Sequence, residues 1–305
     1  MAKTHAKIIV NPVAGGDAST FRQWHNIHGL LQESGLSFDF QYTEGVGHAS
    51  ELARLAASDG YRYLVAVGGD GTINEVANGI LNSTNASATA MGIVSTGTGN
   101  DFIRSLGIPK DYVKACQRVA GEQCTLIDVS LVEFTHNGQK TSRYFVNGAG
   151  VGFDAEVTEA SMGIPRFLGG TVPFVLALLK TLPGYRNKNI RMSIDGREES
   201  RRVLSVVVSN GAYFGGGMRI APEASLSDRC LDVLTIGDVS KAELLQVFPR
   251  VYKGTHTTHP KVRMEKAGRI TIESDQRILL QADGEVLGEG PVTFQVLPAA
   301  LNVVV

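Results

Sequence analysis

The stretch from Tyr63 to Ile80, YLVAVGGDGTINEVANGI, constrains the chain more than any other. Tyr63 to Val67 is a short apolar run rich in β-branched and aromatic residues, the signature of a buried strand. Gly68, Gly69, Asp70 and Gly71 follow, then Thr72 as a helix cap, with Ile73, Val76 and Ile80 spaced for a buried helical face. A strand that turns through glycines into a helix aims backbone N–H groups and the positive end of the helix dipole at one place, which suits phosphate. An acid inside such a turn would repel a bare phosphate, so Asp70 makes sense acting through Mg²⁺ or its bound water. Alone, GGDG reads equally well as a tight turn with a solvated aspartate, and the remaining chain has to decide.

The same strand–loop–helix pattern recurs around it. Lys7 to Val10 is strand-like and runs into Asn11-Pro12-Val13-Ala14-Gly15-Gly16, after which Phe21, Trp24, His28 and Leu31 recur at helical spacing. Ser37 to Tyr42 alternates as a strand before Thr43-Glu44-Gly45, and Leu52, Leu55 and Ala56 mark the next helix. Ala90 to Val94 is a further buried strand, closed by Ser95-Thr96-Gly97-Thr98-Gly99-Asn100-Asp101. The repetition predicts an α/β domain with a mainly parallel sheet. Ligands of such sheets sit at the carboxyl ends of the strands, where all three glycine-bearing loops leave.

Past about Leu126 the texture changes. Asn137-Gly138, Asp195-Gly196 and Asp283-Gly284 each separate apolar or alternating runs, the strongest local hairpin signal. Ile190, Met192 and Ile194 alternate, and Val203 to Val208 reads as a central strand. Helices are expected around Phe174 to Leu182 and from Ser240, which forms a capping box with Glu243. The expectation is a mainly antiparallel β-sandwich. Domain limits fall at 1–127 for the α/β domain and 128–297 for the sandwich.

A chain of 305 residues with 43% hydrophobic and 19% charged residues has ample material for two cores. The net charge of −1 argues against nucleic-acid binding driven by bulk positive charge. Cys116, Cys124 and Cys230 form no CxxC, pointing to a reducing, cytoplasmic setting and away from structural zinc. The N-terminus lacks a signal-peptide core, and Val172 to Leu179 is too short an apolar run to span a bilayer.

Several motifs can be set aside. No GxxxxGK[ST] or kinase HRD–DFG pattern occurs, and Gly148, Gly150 and Gly152 fail the dinucleotide spacing and read as a structural turn. The HxxH pairs His25/His28 and His256/His259 lack a third ligand and read as solvated or core histidines.

Asn11-Pro12 with Gly15, GGDGTINEVANG over 68–79, GTGNDFIRSLGIP over 97–109, Asp228 within SLSDRCLDV, and Asp283-Gly284-Glu285 together resemble the diacylglycerol kinase catalytic-domain family, above all its soluble bacterial lipid kinases. The likeness spans essentially the whole chain. Asn74-Glu75 joined directly to GGDGT favours this branch over NAD kinases. The resemblance implies ATP between an α/β domain and a β-sandwich, with a last strand over about 298–305 returning to the first domain. It implies nucleotide contacts at Asn11, Thr43, Gly69, Asp70, Gly71, Thr72, Glu75 and Thr98, and a general base at Glu285 acting with Asp70. It further implies Mg²⁺ at Asp228 with main-chain oxygens of Ser225 and Cys230, and an acidic network of Asp70, Asp101 and Asp128. The family carries Gly after the metal aspartate, where this chain has Arg229.

The implied reaction is Mg²⁺-dependent phosphorylation of a lipid acceptor, diacylglycerol, to phosphatidate. The alternatives are another lipid (a sphingoid base or phosphatidylglycerol), NAD, or a silent nucleotide- or lipid-binding regulator. Val172 to Leu182 with Lys180, Arg186 and Lys188 is a candidate for transient contact with a membrane surface, which would make the protein peripheral there, although such a stretch is more often a core helix with a basic end. The loop Gly211 to Ile220, with Tyr213 and Phe214, is a candidate acyl-chain lining or simply a glycine-rich turn. The family contains dimers, and a homodimer stays open.

Overall fold

The computed structural model describes residues 5–15, 19–121, 123–164 and 172–305; Gly16 of the first glycine loop lies outside them. The chain divides into two compact units, Met1–Asp128 with Pro298–Val305, and Val129–Leu297.

The first unit is a parallel α/β layer. Strand β1 (Ala6–Val10) leads to helix α1 (Ser19–Glu33), β2 (Phe38–Tyr42) to α2 (His48–Ser58), β3 (Tyr63–Gly68) to α3 (Asp70–Leu81), and β4 (Ala90–Ser95) to the short α4 (Asp101–Ser105) and α5 (Tyr112–Gly121). The order is β2-β1-β3-β4, all parallel, and β4 pairs on its other side with Asn302 and Val303 near the C-terminus. Both faces of β3 and β4 are buried, which is why their sequences read as unbroken apolar runs rather than as alternation. Edge strand β2 differs: only Phe38 is half-buried, and the alternation expected over Ser37 to Tyr42 has no buried face. Its aromatics lie against α1 instead, with Phe40 5.1 Å from Trp24 between ring centres. The buried stripe of α1 is Thr20, Trp24, Ile27 and Leu31, so Phe21 points outward, as does Leu55 on α2. Thr72 does not cap α3; that helix begins at Asp70 after an extended Gly69.

The second unit is an antiparallel sandwich built from β5 (Cys124–His136, entering from the first unit), β6 (Gln139–Phe145), β7 (Gly148–Gly152), β8 (Lys188–Ile194), β9 (Arg197–Val203), β10 (Ser205–Ser209), β11 (Leu231–Ile236), β12 (Val262–Ala267), β13 (Arg269–Glu273), β14 (Leu279–Ala282) and β15 (Glu285–Val304). One sheet runs β12-β11-β10-β7-β14-β15; β15 also pairs β13, which continues to β8 and β9. Helices α6 (Phe153–Ser161), α7 (Val172–Thr181) and α8 (Lys241–Val247) belong to the same unit. Val151, Val206, Val208 and Val233 from the first sheet meet Ile190, Met192, Ile194, Ile270 and Phe294 from the second in one core. Period-two geometry sends Val207 and Leu234 to the opposite face, where they pack with Phe214, Met218 and Ile220.

All three Asx-Gly turns connect hairpins. Asn137, Asp195 and Asp283 sit at φ of 49°, 47° and 45°, each followed by a glycine at positive φ, as a two-residue hairpin turn requires. Gly148 to Gly152 is corrected: these glycines form the fully buried central strand β7, not a turn. Ser240 and Glu243 make the expected reciprocal capping box.

Candidate active site

The loops that end β1, β3 and β4 pack on one another through atoms that leave no room for side chains. A Cβ at Gly97 would lie 2.7 Å from the Cα of Gly69, and one at Gly15 would collide with the carbonyl of Thr96. Asn11 Nδ2 donates to Thr72 Oγ1 at 2.9 Å, joining the first loop to the start of α3. Thr20 and Thr96 share a 2.5 Å hydroxyl contact. The shared end predicted for the three loops is thus a shared surface, and it lies at the carboxyl ends of parallel strands.

The candidate nucleotide residues divide by what they already hold. Gly71 and Thr98 are exposed and Gly69 half-exposed, so backbone of the second and third loops faces water. Thr43 is buried, its amide bonded to Val10 O at 2.9 Å. Glu75 accepts from the amides of Gly47 at 2.9 Å and Ala49 at 3.1 Å, and so caps α2. Its carboxylate positions the neighbouring loop rather than standing open.

Asp70 is tied across to the third loop. Its Oδ2 accepts from Asn100 N at 2.8 Å and its Oδ1 from Phe102 N at 3.3 Å. Burial pushes this carboxyl above the usual range, and the same amide bonds pull it back. Asp101, also buried, approaches the same glycine: a Cβ at Gly99 would lie 2.7 Å from Asp70 Oδ2 and 4.0 Å from Asp101 Oδ2. Asp128 is buried and accepts from Ala299 N at 2.8 Å, fastening the returning C-terminal segment. A carboxylate offers roughly four lone-pair sites. The amides of Asp101 and of Asp70 itself also bear on this carboxylate, so it is held by backbone donors from both loops. Among the described residues no three His, Cys, Asp or Glu side chains form a metal cage. A Mg²⁺ that arrives on a nucleotide and keeps most of its water fits this arrangement, because that ion is seldom held by protein alone.

The second metal position does not fit. Asp228 Oδ1 accepts from Cys230 N at 3.1 Å, and Oδ2 is held by the Lys266 ammonium, which also lies 3.5 Å from Asp232 Oδ2. An internal cation already occupies the carboxylate through which Ser225 and Cys230 were expected to share Mg²⁺. Arg229 adopts φ 64°, a left-handed conformation that glycine takes freely and arginine does not.

In the second unit Asp283 and Glu285 take different roles within one hairpin. Asp283 accepts from the amides of Val146, Asn147 and Gly148 at 2.8, 3.1 and 2.9 Å, so its side chain is structural. Glu285 is half-buried and paired with Arg143 at 2.7 Å. A cavity of about 90 Å³ lies on the far face of the first sheet, lined by Phe153, Phe174, Leu178, Val207, Phe214 and Met218 among others. The Gly211–Ile220 loop thus contributes to an apolar lining, through Phe214, Met218 and Ile220. Of the two HxxH pairs, His28 packs on Phe38 and Phe40, and buried His256 bonds Ile220 O at 3.0 Å.

The sequence reading missed one group, Asp154 with Ser205 and Gln281. Asp154 is bonded to both, at 3.0 Å from Gln281 Nε2, and Gly150 is glycine because a Cβ there would fall inside the Asp154 carboxyl. The alternating glycines of β7 were the available signal; nothing in the sequence pointed to Gln281.

A parallel α/β unit with glycine loops at its strand ends, joined to an antiparallel sandwich, is the fold of the NAD kinase and diacylglycerol kinase class. Yeast NADH kinase shares it with a TM-score of 0.53 over 99% of this chain and 82% of its own, at 11% identity. A diacylglycerol kinase crystal structure from Bacillus anthracis aligns with a TM-score of 0.74 at 21% identity, over 100% of this chain and 97% of that one. Residues 5–132 match the diacylglycerol kinase catalytic domain, and residues 148–305 match the YegS C-terminal NAD kinase beta sandwich-like domain. The diacylglycerol kinase of Staphylococcus aureus strain JH9 is 31% identical over 99% of this chain and 92% of its own. That of Bacillus subtilis strain 168 is 29% identical over 98% and 95%. The chain belongs to the bacterial diacylglycerol kinase family. Membership makes it a kinase, with ATP as the implied phosphoryl donor, and supports a lipid acceptor.

Proposed function

We propose that the protein transfers the γ-phosphoryl group of ATP to the hydroxyl of diacylglycerol, giving phosphatidate and ADP. The observation that carries the acceptor class is the apolar cavity in the unit that also bears Glu285. Its size suits the end of one acyl chain, and burial there contributes about 0.8 kcal/mol per methylene. The outer face of α7 adds to this reading. Val172, Leu176 and Leu179 are exposed while Ala177 and Leu178 turn inward, leaving an apolar strip next to Lys180 that suits a lipid surface.

Phosphoryl transfer needs positioning and charge neutralisation more than covalent chemistry. The backbone of Gly69, Gly71 and Thr98 would take the phosphates, a reading supported by its exposure beside the first turn of α3. Asn11 and Thr72 brace that turn, and Glu75 braces the loop after Thr43. Mg²⁺ bound with the nucleotide would neutralise the developing charge, and Asp70 and Asp101 would hold it through its water. No role is assigned to a metal at Asp228. Glu285 accepts the proton of the attacking hydroxyl as oxygen bonds to phosphorus and ADP leaves, a contribution of about 10²–10⁴-fold. Arg143 orients that carboxylate until the hydroxyl arrives.

Radiolabelled ATP offered with diacylglycerol, monoacylglycerol, a sphingoid base, phosphatidylglycerol and NAD tests the assignment. Label in phosphatidate is expected; label on NAD alone, or on another lipid in preference, would overturn it. Glu285→Gln should lower turnover by about 10²–10⁴-fold while ATP affinity stays within about twofold, and full activity in that variant would remove Glu285 from the chemistry.

A further inference from the structure

Asp154 is a buried carboxyl for which the proposed reaction has no use. Ser205 owns one hydroxyl proton and has two oxygen neighbours, Val151 O at 3.0 Å and Asp154 Oδ1. Ser205 Oγ donates to Asp154 Oδ1 and also lies within donating reach of Val151 O, so the hydroxyl ties the carboxyl to β7. Burial pushes the Asp154 carboxyl upward, and its bonds to Ser205 and Gln281 pull it back. The other oxygen, Oδ2, accepts from Gln281 Nε2 at 3.0 Å. Gln281 is fully buried, and its Oε1 accepts from the amide of Gly284 at 3.2 Å. Gly284 is the second residue of the hairpin turn and immediately precedes Glu285.

A fixed amide orientation therefore runs from Val151 through Ser205, Asp154 and Gln281 to the turn. Asp283 holds the other side of the same turn through its three amide bonds. With one side held by Asp283 and the other by Gln281, the turn has no freedom to swing the carboxylate that follows it.

We propose that Gln281, anchored by Asp154 and Ser205, is a positioning residue that sets the Glu285 carboxylate by holding the Gly284 amide. This rests on the reading of Glu285 as the general base. A carboxylate that must meet a hydroxyl proton within hydrogen-bond reach is sensitive to displacements of an ångström or less.

The test uses the full chain with Gln281→Leu, Asp154→Asn, Asp154→Ala, Glu285→Gln and the double variant Gln281→Leu with Glu285→Gln. Gln281→Leu should lower kcat roughly 10- to 100-fold with KM for ATP unchanged. Asp154→Ala should do the same. Asp154→Asn should restore near-native turnover, because its amide nitrogen donates to Ser205 while its oxygen accepts from Gln281. In the double variant Gln281→Leu should lower residual turnover no further than Glu285→Gln alone. Independent, multiplicative losses would overturn the proposal, as would an Asp154→Asn no better than Asp154→Ala. Hydrogen exchange at the Gly284 amide separates the two readings. Lost protection in Gln281→Leu supports the positioning role, and unchanged protection refutes it whatever the kinetics. If Glu285→Gln keeps full turnover while that protection is still lost, it is the base assignment that fails.

Discussion

Replacing Lys266 by Met keeps the apolar stem and removes only the ammonium, which makes it a direct test of the internal cation at Asp228. Two carboxylates lose a partner. Asp232 is 5% exposed in its side chain, with Lys266 Nζ 3.5 Å away, while Lys266 itself is 43% exposed. Removing the partner of a fully enclosed charge costs about 3–5 kcal/mol, whereas an exposed ion pair is worth about 0–1 kcal/mol. The half-open geometry places Lys266→Met between them, at about 1–2 kcal/mol. For a unit spanning 129–297 that is a fall in Tm of about 3–6 °C, readable by differential scanning calorimetry. Without nucleotide, Mg²⁺ should leave the native Tm unchanged. In Lys266→Met the emptied carboxylates become available, and Mg²⁺ at ten times its Kd should return about 1.4 kcal/mol. A native Tm that climbs with Mg²⁺, and ceases to climb in Asp228→Asn, would refute the reasoning, since the ion would then bind with Lys266 in place.

Two further outcomes follow from the Asp154 pocket. Gly150→Ala should destabilise by about 3–5 kcal/mol in urea titration, because Asp154 must leave its site and lose its bonds to Ser205 and Gln281; a change under about 1 kcal/mol would contradict the packing described. Asp154→Asn tests the effect of burial on this carboxyl. Since burial raises the folded-state value above the ordinary 3.8, the native carboxyl's stabilisation is complete below that pH and declines as pH rises through the folded value. Asp154→Asn should match the native stability in acid and exceed it progressively towards neutral pH, and parallel stability curves would contradict the assignment.

Much of the fold is legible because it depends on near neighbours in sequence. Unbroken apolar runs marked β3 and β4, and Asx-Gly pairs marked three hairpins whose left-handed backbones those residues suit. The glycine loops at the strand ends were recognisable because close backbone approach excludes side chains, as at Gly69 and Gly97. Phe21 and Leu55 were misplaced because helical spacing admits two adjacent stripes, and only the sheet beneath selects one. Gly148 to Gly152 was misread because glycine signals a turn locally, whereas in this strand Gly150 clears space for the Asp154 carboxyl.

The sequence by itself determined the periodicities, the turns, the glycine loops and the inventory of acids, since each is written within a few residues. Tertiary structure alone decided how those acids are used. Glu75 caps a helix that begins 27 residues before it, Asp283 binds amides more than 130 residues away, and Lys266 reaches back 38 positions to Asp228. Gln281 and Asp154 are 127 positions apart and meet only because β7 and β14 pair side by side. A carboxylate's chemistry depends on which donors surround it and how much water remains, and those are properties of contacts between distant segments.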